Sequence, residues 1–499
     1  MQNDLSKKIN QATKWSGVTE IIAKLISPIV NMVLARLLTP EAFGVVATIT
    51  MVISFAEIFT DAGFQKYVIQ HEFKNEEELN QSTNVAFWTN LFVSTLICII
   101  IFIFKDSIAT MVGSPGLGNS ISLASVLIII AAFSSIQMAR YKRAFDFKTL
   151  FYVRIGAALI PLVVTIPLAV LFRNYWALLF GNFASQLFSA ILLTIKSKWK
   201  PSFYFSFKLL KEMFSFSAWT LLESISIWLT NYIDVFIVGY FLSEYYLGIY
   251  KTSMSTVGSY MAIITGAITP VLFSALSRYQ NDEDNFKKTY YSLQRIVAVL
   301  VFPMGVGIFL FQDLVTSILL GNQWSEASGF IGLWGLTGAF TIVFSHFSSE
   351  VYRSKGTPKV SLFSQILHLL FVIPTLLISI NYNFETIYTA RSLVRLQLVL
   401  TAIILMKKLY KFKILDTVKN VLPMLISSCI MGVIGYGLQQ ISSHMLWQFF
   451  VVFICVIVYF AVLLIFFPKI RAEIANTHYA QKILHKIKKE NISDNDKGT

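Results

Sequence analysis

"A-R-L-L-T-P-E-A-F-G" (residues 35–44) is a short polar corner between two long apolar runs, and the chain writes it twice. Residues 239–248 read "G-Y-F-L-S-E-Y-Y-L-G", so Leu38, Thr39 and Gly44 correspond to Leu242, Ser243 and Gly248 at an offset of 204 residues. The copy is larger than the corner. Trp15 and Trp219 keep the same offset, "I-F-I-F-K-D" (101–106) returns as "I-F-L-F-Q-D" (308–313), and "Y-K-R-A-F-D-F-K" (141–148) lines up with "Y-R-S-K-G-T-P-K" (352–359). Four correspondences in one order, with the offset growing only through the connections, describe a duplicated unit.

Composition places that unit in a membrane. Of the 499 residues 55% are hydrophobic and 14% charged, against about a quarter charged in soluble domains. A helix needs about 20 apolar residues to cross a bilayer, and such runs start near residues 15, 41, 85, 119, 150, 175, 217, 246, 290, 327, 361, 384, 418 and 446. Barrel strands would be shorter and alternate in polarity. The expected fold is an all-α integral membrane protein with fourteen transmembrane helices: two pseudo-symmetric six-helix lobes and two C-terminal helices. The lobes are residues 1–200 (spans 1–6) and 201–413 (spans 7–12), residues 414–468 hold helices 13 and 14, and residues 469–499 form a cytoplasmic tail. Six is even, so the copies share an orientation and a pseudo-twofold axis along the membrane normal relates them.

Basic residues set the orientation. Clusters such as Lys7–Lys8, Arg140–Arg143, Lys196–Lys200 and Lys407–Lys413 fall in every second connection, leaving Arg36, Lys105 and Arg173 for the other side. The positive-inside rule then puts both termini in the cytoplasm. The formal charge of +14 is spent on this asymmetry, so no nucleic-acid partner is expected, whereas the basic tail suits anionic membrane lipids. The N-terminus lacks the apolar core and cleavage site of a signal peptide. Cys98, Cys429 and Cys455 sit in apolar runs without a pairing pattern and read as small core residues.

Ionisable residues inside the spans point to a site. Each costs roughly 2.5 to 3.5 kcal/mol near a helix centre if it faces lipid. Glu20, Lys24, Ser27 and Asn31 fall on one stripe of span 1, and Thr50, Ser54, Glu57 and Asp61 on one of span 2. Span 7 carries Glu223, Ser226, Thr230 and Asp234, span 8 Lys251, Ser255 and Ser259, and span 12 Tyr388, Arg391 and Arg395. Spans 1 and 7, and 2 and 8, are equivalent in the duplication, so these stripes describe one hydrated cleft between the halves. Lys24, Lys251, Arg391 and Arg395 are the expected binders of an anionic substrate. Asp234, then Glu57, with Glu20, Glu223 and Asp61, are the expected cavity carboxylates for a coupling proton or Na⁺. Blander readings stay open: a self-satisfied Glu20–Lys24 pair, Arg391 and Arg395 partnering Glu57 or Asp234, Arg154 snorkelling, and Glu350 pairing near a helix end.

Other chemistry is absent from the sequence. There is no H-E-x-x-H, P-loop or C-x-x-C, "G-S-P-G-L-G" (113–118) follows no strand, and the glycines from Gly329 to Gly338 suit helix packing. No cofactor, no metal and no enzyme activity are expected. The rival readings are a cation-coupled drug antiporter, which would want an acidic aromatic cavity, and a membrane polymerase or ligase, which would want larger outside loops with paired carboxylates.

The motifs "T-K-W-S" (13–16), "V-L-A-R-L-L-T-P-E-A-F-G" (33–44), "D-A-G-F-Q-K-Y-V-I-Q" (61–70) and "L-G-N-Q-W" (320–324) resemble those of Wzx-type polysaccharide flippases, in particular the O-antigen and colanic acid exporter group. That group shares a superfamily with multidrug-and-toxin antiporters and the lipid II flippase. The resemblance covers nearly the whole chain. It implies transport of undecaprenyl-pyrophosphate-linked oligosaccharide from the cytoplasmic to the periplasmic leaflet of a bacterial inner membrane, for lipopolysaccharide, capsule or exopolysaccharide. It also implies a cationic cavity between spans 1, 2, 7 and 8, which Lys24 and Lys251 would supply, and partners in the polysaccharide polymerase and chain-length machinery.

Overall fold

The computed structural model describes residues 2–61, 64–468 and 470. Among them it is helical with no strand, as a bilayer requires of a chain that must satisfy every backbone polar group internally. The long helices are α1 (Gln2–Leu37), α2 (Pro40–Asp61), α3 (Glu76–Ile103), α4 (Gly118–Arg143), α5 (Phe147–Phe172), α6 (Trp176–Lys196), α7 (Phe207–Phe241) and α8 (Glu244–Arg278). They continue with α9 (Glu283–Leu310), α10 (Asn322–Ser354), α11 (Pro358–Ser379), α12 (Phe384–Tyr410), α13 (Ile414–Gln439) and α14 (Met445–Phe466).

Among the described residues twelve helices are long and apolar enough to span a membrane, or thirteen if α8, bent by 43° after Gly266, counts as one. Fourteen long helices thus run where the fourteen spans were expected, and α1 is the one outside the twelve and the bent α8. Large apolar side chains such as Phe92, Leu171, Val433 and Ile465 stand exposed on the outer surface, where only lipid makes them favourable.

Polar connections carry the helix starts. Asn75, Asp146, Ser206, Asp282 and Asn383 each accept a backbone N–H of the helix they precede, satisfying donors that the first turn leaves orphaned. Pro40 is the first residue of α2, where its missing N–H does no harm. Ser243 sits at the N-cap of α8 in extended backbone, but its side chain makes no cap bond. At Thr39 the bond observed is a backbone one, its carbonyl accepting from Ala42 N–H at 3.1 Å.

The halves meet along α2 and α8, the most extensive helix pair in the molecule. The reason is local. A Cβ on Gly44 would run into the backbone carbonyl of Glu244, and a Cβ on Gly248 into that of Pro40. The two copies of the corner's last glycine therefore touch each other, backbone on backbone, which only a residue without a Cβ allows. Behind them α9 packs on α10 and α13, and α13 on α14, around fully buried Trp324, Phe302, Phe330 and Phe347.

Candidate functional site at the seam between the repeats

The corner at 35–44 is held from the other half. Gln323 Nε2 donates to the carbonyls of Ala35 (2.5 Å) and Leu38 (2.9 Å), and Trp324 Nε1 donates to Ala35 O at 2.7 Å. Arg36 answers by donating to Ile318 O at 2.7 Å, and Phe43 meets the Trp324 ring edge-on at 5.2 Å. These carbonyls belong to the last turn of α1, where no intrahelical donor remains. Two motifs that are far apart in sequence, 33–44 and 320–324, thus form a single clasp.

Below the clasp the seam is lined by α1, α2, α7 and α8. Trp228 of α7 donates to Ser54 Oγ of α2 at 3.0 Å, and its ring lies 4.7 Å from that of Phe55. Lys24 is half-buried on α1, and its ammonium end lies against Gly266 of α8. Lys251 is half-buried on α8, with Nζ 4.8 Å from the centre of the Tyr232 ring on α7. Each repeat therefore sends one lysine to the seam. The side chains of Glu20, Asp61 and Glu223 lie outside the described residues.

Span 12 behaves differently from the expectation. Arg391 is buried and donates from Nε and Nη2 to Asp234 Oδ2 at 3.1 and 2.9 Å. Tyr250 O–H reaches the same oxygen at 3.1 Å, and Asp234 Oδ1 accepts the N–H of Val235 at 2.8 Å. With Asp234 1% exposed and Arg391 6%, the carboxylate and the guanidinium compensate each other inside the second half. Asp234 and Arg391 are thus partners of each other, which is the blander reading kept open for Arg391 above. Arg395 is half-buried, its guanidinium 3.6 Å from the Trp334 ring centre and its Nη1 donating to Trp334 O at 3.1 Å. The blander reading of Glu350 fits, since Arg353 pairs with it at 2.9 Å.

Glu57 stands apart from all of these. It faces a pocket inside the first half, between α2, α4, α5 and α6, shared with Thr60, Ser134, Ser185 and Ser189. The sequence reading passed over these serines. The one signal available was the spacing of Ser185 and Ser189, four residues apart on one face of α6.

The family model for polysaccharide biosynthesis proteins matches residues 33–329, more than half of the chain. The chain belongs to this family. The Wzx-type resemblance read from the corner and from 320–324 is borne out. Among curated members, lipopolysaccharide biosynthesis protein WzxC of Escherichia coli (strain K12) is 21% identical over 328 residues, 64% of this chain and 65% of that one. Succinoglycan biosynthesis transport protein ExoT of Rhizobium meliloti (strain 1021) is 23% identical over 332 residues, 66% of each chain. The matched segments thus span about two thirds of these relatives. Among solved structures, lipid II flippase MurJ in an inward closed conformation superposes with a TM-score of 0.74 at 15% identity, over 92% of this chain and 99% of that one. An inward-facing multidrug transporter of the MATE family gives 0.60 at 12% identity, over 82% and 98%. These structures share the fold.

Proposed function

We propose that the protein is a flippase carrying an undecaprenyl-pyrophosphate-linked oligosaccharide from the cytoplasmic to the periplasmic leaflet of a bacterial inner membrane, for assembly of a surface polysaccharide. The observation that carries this reading is the pair Lys24 and Lys251, one from each repeat, half-buried at the seam of a polysaccharide biosynthesis family member. An ammonium group within a membrane is tolerated where protein or water surrounds it, and its natural ligand is a phosphate oxygen. The names of the relatives, lipopolysaccharide biosynthesis and succinoglycan transport, support a glycan cargo.

The two repeats rock about the glycine contact of α2 and α8, opening the seam first to the cytoplasm and then to the periplasm. Both termini are cytoplasmic, on the charge asymmetry of the connections. With Asp234 paired to Arg391, Glu57 is the candidate among the described carboxylates for a coupling proton or Na⁺. No cofactor enters the cycle, the protein is a transporter rather than an enzyme, and polymerase and chain-length proteins receive the cargo.

Proteoliposomes loaded with a fluorescent undecaprenyl-pyrophosphoryl oligosaccharide test the reading. Wild-type protein makes the label accessible to a membrane-impermeant quencher, and Lys24→Glu and Lys251→Glu abolish that flux while remaining folded. Wild-type flux in both variants would remove the lysines from the site.

A further inference from the structure

The pocket beside Glu57 is larger than one carboxylate needs. Its volume is about 460 Å³, within the roughly 300–1,000 Å³ of small-molecule sites. It sits among membrane-spanning helices, yet its wall holds Glu57, Ser134, Ser135, Ser185, Gln186 and Ser189. Ala131, Ala132 and Ala157 stand in the same wall beside Thr60, Gln65 and Met138, and the three small alanine side chains leave room for the space.

The hydrogen bonds give the wall a polarity. Thr60 Oγ1 donates to Glu57 O at 2.9 Å, Ser134 Oγ to Ala131 O at 3.1 Å, Ser135 Oγ to Ala132 O at 3.2 Å and Ser189 Oγ to Ser185 O at 3.0 Å. Each of these four hydroxyls has spent its proton on its own helix, so what it still offers is lone pairs, one of which on Ser135 is taken by Asn90 Nδ2 at 2.8 Å. With the Glu57 carboxylate they weight the wall toward acceptors, and the amide of Gln186 adds donors. A complementary ligand brings several O–H donors, fits a few hundred Å³ and has no large apolar body. A sugar ring meets all three conditions.

Its position agrees. Glu57 is one helical turn along α2 from Ser54, the residue that accepts the Trp228 indole across the seam, so the pocket and the seam share a helix.

We propose that this pocket of the first repeat is a glycan subsite, which takes a sugar of the cargo through its hydroxyl donors while the lysines at the seam hold the pyrophosphate. The proposal rests on the flippase reading and names where the sugar goes. Ser134, Ser185 and Ser189 are then specificity-determining residues.

The test uses the full chain in lipid nanodiscs and two probes, undecaprenyl pyrophosphate and undecaprenyl pyrophosphate bearing one hexose. Wild-type protein binds the sugar-bearing probe more tightly. Ser185→Trp fills the pocket and brings that probe down to the affinity of the bare one, with binding of undecaprenyl pyrophosphate unchanged. The double variant Ser134→Ala, Ser189→Ala keeps the space but loses acceptors, and weakens the sugar-bearing probe alone by about tenfold for each hydrogen bond lost. If Ser185→Trp no longer binds the bare probe, the double variant decides. A wild type that binds both probes equally, or variants that keep the wild-type preference, would overturn the subsite while leaving the flippase reading intact. A wild type that binds neither probe would overturn the flippase reading itself.

Discussion

Asp234 and Arg391 are the pair whose removal should be felt most. The oxygen–nitrogen distances of 2.9 and 3.1 Å correspond to about 6 kcal/mol of attraction at an effective dielectric of about 20. Neither partner is more than 6% exposed, so water screens little of it. Taking away one member leaves the other buried and uncompensated, which costs about 3–5 kcal/mol. Asp234→Asn leaves a guanidinium facing an amide and Arg391→Met leaves a carboxylate with only Tyr250 and its own backbone. Each should lower stability by that amount. Asp234→Asn with Arg391→Met removes both charges, and its loss should fall short of the summed single losses by about 3 kcal/mol. Unfolding in mixed detergent micelles, followed by the far-ultraviolet signal and by tryptophan fluorescence from Trp334, reads the cycle. The refuting result is additivity: single losses that simply sum in the double variant would mean the charges act independently, and Asp234 would return to the coupling candidates.

Other consequences are quicker to state. Gly44→Ala should cost about 1–3 kcal/mol in the same unfolding assay, because its Cβ meets the Glu244 carbonyl, whereas Gly258→Ala on the same α8 seam helix meets open space and should be silent. Gln323→Ala should loosen the clasp, seen as faster hydrogen exchange through residues 35–44 with α9 unaffected as an internal control. At the start of α9, hydrogen bonds from Asn285 hold the Asp282 carboxyl below its usual range. A depressed folded value means the cap contributes above the unfolded value, about pH 4, and is lost as pH falls through the folded one. The amide of Asn285 should lose protection in that acid window, and Asp282→Ala should lack protection at every pH.

The architecture was legible because membrane spans announce themselves by length and because the corner is repeated. Pairing Gly44 with Gly248 by alignment even names two residues that touch, since a contact on a pseudo-twofold axis joins equivalent positions. The Asp234–Arg391 pair joins helices 157 residues apart, and periodicity on one helix says nothing of what faces it. The cleft reading treats polar stripes as hydrated, whereas the alternative of Arg391 partnering Asp234 lets one stripe be answered by another, and that pairing is the one observed. The serines near Glu57 escaped notice because a lone hydroxyl in a span usually bonds back to its own helix, and these do so while also lining a pocket.

The clasp on the end of α1 fixes something about the resting molecule. Four donor contacts, from Gln323, Trp324 and Arg36, close one mouth of the seam, and each is worth about 1 kcal/mol net. Parting the repeats at that end forgoes about 3–4 kcal/mol of hydrogen bonding, so these contacts by themselves bias the molecule toward the shut arrangement by about two to three powers of ten. A cargo that prefers neither arrangement leaves that ratio where it is, however tightly it binds. Turnover therefore requires the cargo or the coupling ion to favour the parted form by a comparable margin, and trimming Gln323 lowers that threshold for every substrate alike.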